Sequence, residues 1–379
     1  MENGLILEYT LHPDGAHLVR ALGETPCPAL PDTLGGLPLV QIGDYAFSAS
    51  QHKVLPKGEV HTAQIGTPPP APQPLCGNFL QAVRLPQPLQ VLGNAAFYNC
   101  RKLEQLSFGP QVRSVGSDLF TNCHQLTRFV MRAAPEAPTG LPPLLGALQT
   151  DLRLTFTPNG TVLAALRYPE YWEELEENAP AHIFNRGIHG QGYRYRQCFT
   201  RGVVDYTAYD RTFEVALAEE DPTMLAELAF DRLRWPVALT EEAREQYTAY
   251  LAGHAGLAAG RLIREEDDEG LQLLCSLSVF TVESLAQARQ LAQQVAEGTL
   301  KPEDITEEMM SDHMYTAGQK DPDFILRPSG EKRLSNFMLW QAAYAELVEM
   351  DVLWPDFTRD DLDAAIMEFN RRSRRFGGL

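Results

Sequence analysis

Basic residues are in short supply in this chain. Lys and Arg number 32 against 50 Asp and Glu, for a formal net charge of −18. Proteins whose main partner is nucleic acid concentrate Lys and Arg against phosphate, so that class is excluded as the chief function, although a local basic pocket is not. Long apolar runs are also missing. Nothing approaches the roughly 18 consecutive apolar residues of a membrane-spanning helix, so no membrane span is expected. The opening "MENGLILEYTLHPDG" has neither the basic nor the apolar segment of a secretory signal, which makes a cytoplasmic location the default expectation. The six cysteines (27, 76, 100, 123, 198 and 275) form no CxxC pair. In a reducing compartment such scattered cysteines read as free thiols rather than disulfides or zinc ligands.

What the chain does have first is a repeat. "VQIGDYAFSAS", "QVLGNAAFYNCRKLEQLSF" and "RSVGSDLFTNCHQLTRFVM" align, with Gly93 and Gly116, Phe97 and Phe120, Cys100 and Cys123, and Leu103 and Leu126 each 23 residues apart. Gly43 and Phe47 lie 50 residues upstream of Gly93 and Phe97, and the Pro-rich "TPPPAPQP" falls in that gap. One short apolar strand, one Gly turn and one Phe per unit describe a solenoid whose repeats bury their apolar faces only by stacking. Cys100 and Cys123 then read as small buried residues stacked on one another. The segment resembles the surface-protein type of leucine-rich repeat over about residues 1–132. That resemblance implies a curved scaffold and a protein partner, and no chemistry.

The middle of the chain offers no catalytic constellation. "APEAPTGLPPLLGAL" marks a boundary. "LRLTFTPNGTVLAALRY" reads as a hairpin turning at Asn159-Gly160. Helices are expected from Asp221-Pro222, from Thr240 as N-cap, and through "VESLAQARQLAQQVAEG". "GIHGQG" (187–192) reads as a loop rather than a phosphate cradle. His182 and His189 read as structural, and "REEDDEG" (264–270) as a solvated acidic turn.

The C-terminal stretch is denser in signal. "DFILR" reads as a strand ending at Arg327, "SNFMLWQAAYAELVE" as a helix carrying Glu346, and "DVLWPDF" as a second strand. Another helix is expected from Thr306 to Gly318, and a last one from Thr358 with Asp361 in the capping-box position. Helix, strand, helix, strand, helix is a parallel α/β fragment, whose sites lie at the C-terminal ends of strands. Arg327, Arg333 and Ser335 around one turn suit a phosphate or diphosphate, and Glu346 could hold Mg²⁺ if it faces the same cavity. The alternative is that the two arginines pair with Glu331 and Asp323 at the surface.

From about residue 296 to 379, "GTLKPEDITEEMMSDHMYTAG", "DPDFILRPSGEKRLSNFMLWQAAYAEL", "DVLWPDF" and "RRSRRFGG" resemble the C-terminal part of undecaprenyl diphosphate synthase, a cis-prenyltransferase. The resemblance implies a prenyltransferase that condenses isopentenyl diphosphate with an allylic diphosphate using Mg²⁺, in a homodimer. It implies that Arg327, Arg333 and Ser335 bind isopentenyl diphosphate and that Glu346 serves the metal. Pro328 stands where Thr is common. The family's His…Asp-Gly-Asn-Gly-Arg-Trp-Ala loop and its Asn-Tyr-Gly-Gly-Arg region have no counterpart. "HPDGAHLVRA" (12–21) shares only Asp14-Gly15 with the loop and reads as a strand turn. Only the isopentenyl-diphosphate half-site is therefore expected.

The expected fold class is multidomain α+β. Residues 1–132 form a leucine-rich-repeat β-solenoid, 133–202 a boundary and hairpin, 203–297 a helical domain, and 298–379 an α/β fragment of a cis-prenyltransferase-like parallel sheet. The alternative function is a non-enzymatic, protein-binding leucine-rich-repeat scaffold with a relic or chimeric C-terminal segment.

Overall fold

The computed structural model describes residues 4–48, 56–67, 71–178, 183–280, 320, 322–330 and 345–372. The chain divides into two compact units, 1–297 and 298–379.

The first unit opens with the antiparallel pair β1 (Leu5–His12) and β2 (Gly15–Gly23), turning at Asp14-Gly15. Then come β3 (Thr33–Leu34), β4 (Leu37–Ile42), β5 (Val60–Ile65), β6 (Gln73–Pro74), β7 (Ala82–Arg84), β8 (Val91–Leu92), β9 (Gln105–Phe108), β10 (Ser114–Val115) and β11 (Arg128–Met131). Two sheets result. In one, the order is β10-β8-β4-β2-β1-β5, with β4, β8 and β10 parallel. The other continues β7-β9-β11 in parallel into β12 (Leu152–Phe156), with β13 (Ala164–Tyr168) folding back antiparallel. Gly160, with φ 83°, makes the turn of that hairpin, as expected.

The repeat period is visible as ladders between these strands. Phe47 stacks on Phe97 at 5.1 Å between centroids, and Phe97 on Phe120 at 5.8 Å. Cys100 Sγ donates to the carbonyl of Phe47 and Cys123 Sγ to that of Phe97, each at 3.0 Å. Asn94 N donates to Asp44 Oδ1 at 2.8 Å, and Ser117 N to Asn94 Oδ1 at 3.0 Å. Each repeat thus bonds back to the one before. Gly93 is required by that stacking: a Cβ there would lie 2.6 Å from the backbone nitrogen of Asp44. Burial pushes the Cys123 thiol up to about 12, and that of Cys100 further.

The remaining elements are mostly helical: α1 (Leu141–Gly146), the hairpin β14 (Trp172–Asn178) and β15 (Ile183–His189), α2 (Gly192–Arg196), the short pair β16 (Phe199–Thr200) and β17 (Val203–Val204), then α3 (Tyr206–Ala216), α4 (Pro222–Arg234), α5 (Glu241–Arg264) and α6 (Asp268–Ser276). Side-chain caps set the helix starts. Asp221 accepts from Thr223 N and Met224 N, Thr240 from Ala243 N, and Asp267 from Gly270 N. The "GIHGQG" loop expectation needs correcting: Gly187–His189 end β15, Gly190 turns at φ 83°, and Gly192 opens α2. One apolar cluster runs from Leu5 through to Val279, so the repeats, hairpin and helices share a core.

In the second unit, β18 (Phe324–Arg327) pairs parallel with β19 (Glu346–Glu349), and α7 (Arg359–Arg371) packs on it through Phe324 and Phe369, whose centroids lie 5.1 Å apart. The Thr358–Asp361 capping box is formed, as expected. Glu346 belongs to a strand rather than to the helix it was expected on. The second strand is "ELVE", and "DVLWPDF" is instead a bend and a 3-10 turn at Trp354–Asp356. Pro355 lacks the N–H a strand would need, while Val348, opposite Leu326, is buried. The helices expected from 306 to 318 and through 335–344, and the one at "VESLAQARQLAQQVAEG", lie outside the described residues, as does His182.

Candidate functional site

Arg327 ends β18, where sites in parallel sheets are found. A tight turn follows in which Ser329 and Gly330 both take positive φ, 69° and 66°. Their N–H groups donate to the carbonyls of Val352 and Met350, which ties the turn to the segment after β19. Arg327 Nε is enclosed and has no hydrogen-bond partner among the described residues. Asp323, a surface partner considered for Arg327, pairs with Lys320 at 2.8 Å. Arg333, Ser335 and Glu331 lie outside the described residues.

Glu346 is placed differently. In the parallel register it stands opposite Phe324, while Arg327 stands opposite Glu349. Three residues along a strand separate the two positions by about 10 Å. The Glu346 carboxylate accepts from Arg372 Nη1 at 3.2 Å, and the same guanidinium reaches the Leu347 carbonyl at 2.8 Å and Glu368 at 3.3 Å. Magnesium takes one or two carboxylates only when phosphate oxygens and waters complete its octahedron. Among the described residues no group of three or more His, Cys, Asp or Glu converges. Glu346 thus lies at the strand end away from Arg327 and is engaged by Arg372, so the described residues bring it to no common cavity with Arg327 and make no metal centre.

The first unit holds charged clusters that sequence reasoning missed. Asp231, on α4, is 0% exposed and accepts from Arg153 at 2.9 and 3.1 Å, from Arg167 at 3.0 Å and from Arg261 at 3.1 Å. Burial pushes its carboxyl up, but Arg153, Arg167 and Arg261 together outweigh that and hold it far below the usual carboxylate range. Glu227 pairs with Arg167 and Arg261 beside it. Nearby, Asp210 receives both Nε and Nη2 of the buried Arg232, at 2.7 and 2.9 Å, and the hydroxyl of Tyr247 at 2.8 Å. The Asp231 network fastens α4 and α5 to β12 and β13, and the Asp210 network ties α3, α4 and α5 to one another. With their charges already compensated they have the character of buried structural ties rather than of a reactive site. The signal was available in "LAFDRLR", where Asp231 and Arg232 fall three and four residues after the buried Leu228, on the inward face. His189 stacks on Trp172 at 5.3 Å and lies 3.2 Å from Glu174, on an exposed hairpin.

Among the described residues no helix is long and apolar enough to cross a membrane.

Comparison with known proteins bears on both ends of the chain. The family model described as putative undecaprenyl diphosphate synthase matches residues 264–377, beginning at the last residue of α5, upstream of the start near 296 read from the motifs. A BspA-type leucine-rich-repeat model matches residues 75–136. An isoprenyl transferase of Geobacillus kaustophilus is 46% identical over 135 residues, covering 35% of this chain and 52% of that protein. One from Porphyromonas gingivalis is 50% identical over 109 residues, covering 28% and 43%. One from Bacillus subtilis is 52% identical over 97 residues, covering 26% and 37%. This chain spans about half the length, or less, of the curated relatives it matches. A crystal structure of a T. pallidum leucine-rich-repeat protein aligns at 21% identity and a TM-score of 0.19, over 32% of this chain and 67% of that one. The chain is multidomain α+β: its C-terminal part is similar to undecaprenyl diphosphate synthases, and its N-terminal part to BspA-type leucine-rich repeats.

Proposed function

We propose that the C-terminal unit is a diphosphate-binding element of the prenyltransferase type, taking isopentenyl diphosphate through Arg327, Arg333 and Ser335. The observation that carries the reading is Arg327 itself. It closes a parallel strand beside a sharply turned loop, with an enclosed Nε that no described residue satisfies. A guanidinium N–H enclosed without a partner among the described residues suits an anionic oxygen such as that of a diphosphate. Condensation also needs an allylic diphosphate held by metal and donors of its own. The chain carries no Asp-Gly-Asn-Gly-Arg motif for that half. Isopentenyl diphosphate binding without prenyl transfer is therefore the expected behaviour of the chain on its own.

Calorimetry with isopentenyl diphosphate and Mg²⁺ tests this, with an Arg327→Ala protein alongside. Saturable binding that weakens by at least about tenfold in the variant is expected, as for a lost charge-assisted hydrogen bond. Equal binding by both proteins would sink the half-site. Long-chain product from labelled isopentenyl diphosphate and farnesyl diphosphate, lost in Arg327→Ala, would show instead that the allylic half is present in a form its motif does not reveal.

A second reading rests on the stacked repeats. The N-terminal ladders support a leucine-rich-repeat solenoid that acts as a protein-binding scaffold, with the C-terminal unit as an appended element. A cytoplasmic location suits either reading, as does a homodimer formed through the second unit.

A further inference from the structure

The first sheet has two unlike faces. Leu7 and Ile42 turn into the core, while the opposite side floors a cleft of about 740 Å³. That volume lies in the range of small-ligand sites, roughly 300–1,000 Å³. Its floor is polar. Thr10, only 3% exposed, has its hydroxyl 3.0 Å from His12 Nε2, and the His12 and His17 rings stack at 4.0 Å.

The charges around this floor are unevenly paired. Asp44, on one wall, is already committed to Asn94 through its backbone N–H and side-chain amide. Asp14, outside the cleft, accepts from His17 Nε2 at 3.2 Å. Arg20 and Lys57 both line the cleft, and neither has an ion-pair partner among the described residues. Arg20 stands opposite Glu8 in the β1–β2 register, yet no ion pair joins them. Glu8 is the one lining carboxylate left uncommitted among the described residues. Arg20 and Lys57 balance the Glu8 and Asp44 carboxylates in formal charge, so on a chain of net charge −18 this cleft is a locally neutral patch in which both cations lack an ion-pair partner among the described residues.

We propose that this cleft binds a small organic anion, a carboxylate or phosphate ester. Its charged groups would be taken by Arg20 and Lys57, and its body would lie over the Thr10–His12–His17 floor. The two cations stand on separate elements, Arg20 on β2 and Lys57 on the segment leading into β5. An anion carrying more than one charged or polar group therefore fits better than a lone ion. The proposal concerns the first unit alone and does not depend on the diphosphate reading of the second.

The test is titration of the full-length protein with citrate and, separately, with glycerol 3-phosphate, followed through the imidazole signals of His12 and His17. Saturable binding of at least one at millimolar concentration or below is expected, and which one binds separates the carboxylate from the phosphate source. Arg20→Gln and Lys57→Gln should each weaken it by about tenfold, and Glu8→Gln should strengthen it. Both cations are exposed, so an unchanged melting temperature would show that the fold survives their substitution. Arg327→Ala should leave the binding unaltered, which keeps this site distinct from that of the second unit. Three results would overturn the proposal: no saturable binding of either anion, binding that persists in the Arg20→Gln and Lys57→Gln proteins, or equal binding of uncharged glycerol.

Discussion

At the scale of single residues, Asp231 is the most exacting position in the first unit. It lies fully buried against three arginines, so removing its charge leaves cations buried without their counter-ion. Asp231→Asn is expected to cost about 3–5 kcal/mol, read from chemical denaturation at pH 7. The pH dependence follows from the depressed carboxyl. Its stabilisation is fully present above the unfolded pKa near 4 and drains away as pH falls towards the lower folded value. Wild-type stability should therefore fall below about pH 4 more steeply than that of Asp231→Asn, and parallel slopes would contradict the assignment. Helical spacing puts Asp231 on the inward face of α4, but no periodicity could have announced its partners. Arg153, Arg167 and Arg261 come from two strands and a distant helix, and only tertiary packing brings them to one carboxylate. Arg327 was legible for the opposite reason: its strand, turn and neighbours are contiguous in the chain.

At the scale of elements, local chemistry was read well where a cap or turn sets the boundary. Asp221, Thr240 and Thr358 each cap the helix expected of them, and Asn159-Gly160 turns its hairpin. The failure came where composition outweighed geometry. "DVLWPDF" looked strand-like for its apolar residues, but Pro355 breaks the run, and the buried Val348 marks the true strand one step earlier. Glu346 moved with that correction, from a helix face to the start of β19 at the end away from Arg327. Removing the capping hydroxyl with Thr358→Ala should lower the stability of the second unit by about 1 kcal/mol. Amide exchange in α7 should then speed up while the first unit is untouched; uniform acceleration throughout the chain would argue against the division.

At the scale of the whole molecule, the two-unit division predicts separable folding. One apolar cluster spans the first unit from Leu5 to Val279. A fragment ending at residue 297 is expected to keep a single cooperative melting transition, checked by calorimetry. Two transitions in the fragment would mean that repeats and helices fold apart despite their shared core. The division does not coincide with the family resemblance, whose match begins at Arg264, inside the first unit. That earlier start was not legible in the motifs, because 264–295 carries none of the family's charged or glycine signatures.

The ladders have a consequence for how the chain can change length. Asn94 reaches back to Asp44, Ser117 to Asn94, Cys123 to Phe97, and each rung offers the same groups to the next. Within its 23-residue rungs such an array can lose or gain material only in whole steps. Excising 94–116 would set Ser117 directly after Gly93 and Gln105's place in the second ribbon would pass to Arg128, so the rungs would rejoin one fewer in number. Excising one residue less would turn the aromatic stack out of line and leave the donors without acceptors. From Asn94 onward the repeats are therefore a ruler graduated in units of 23 residues, expected to vary there by whole graduations, while the 50-residue step from Asp44 to Asn94 carries its extra length in the insert between them.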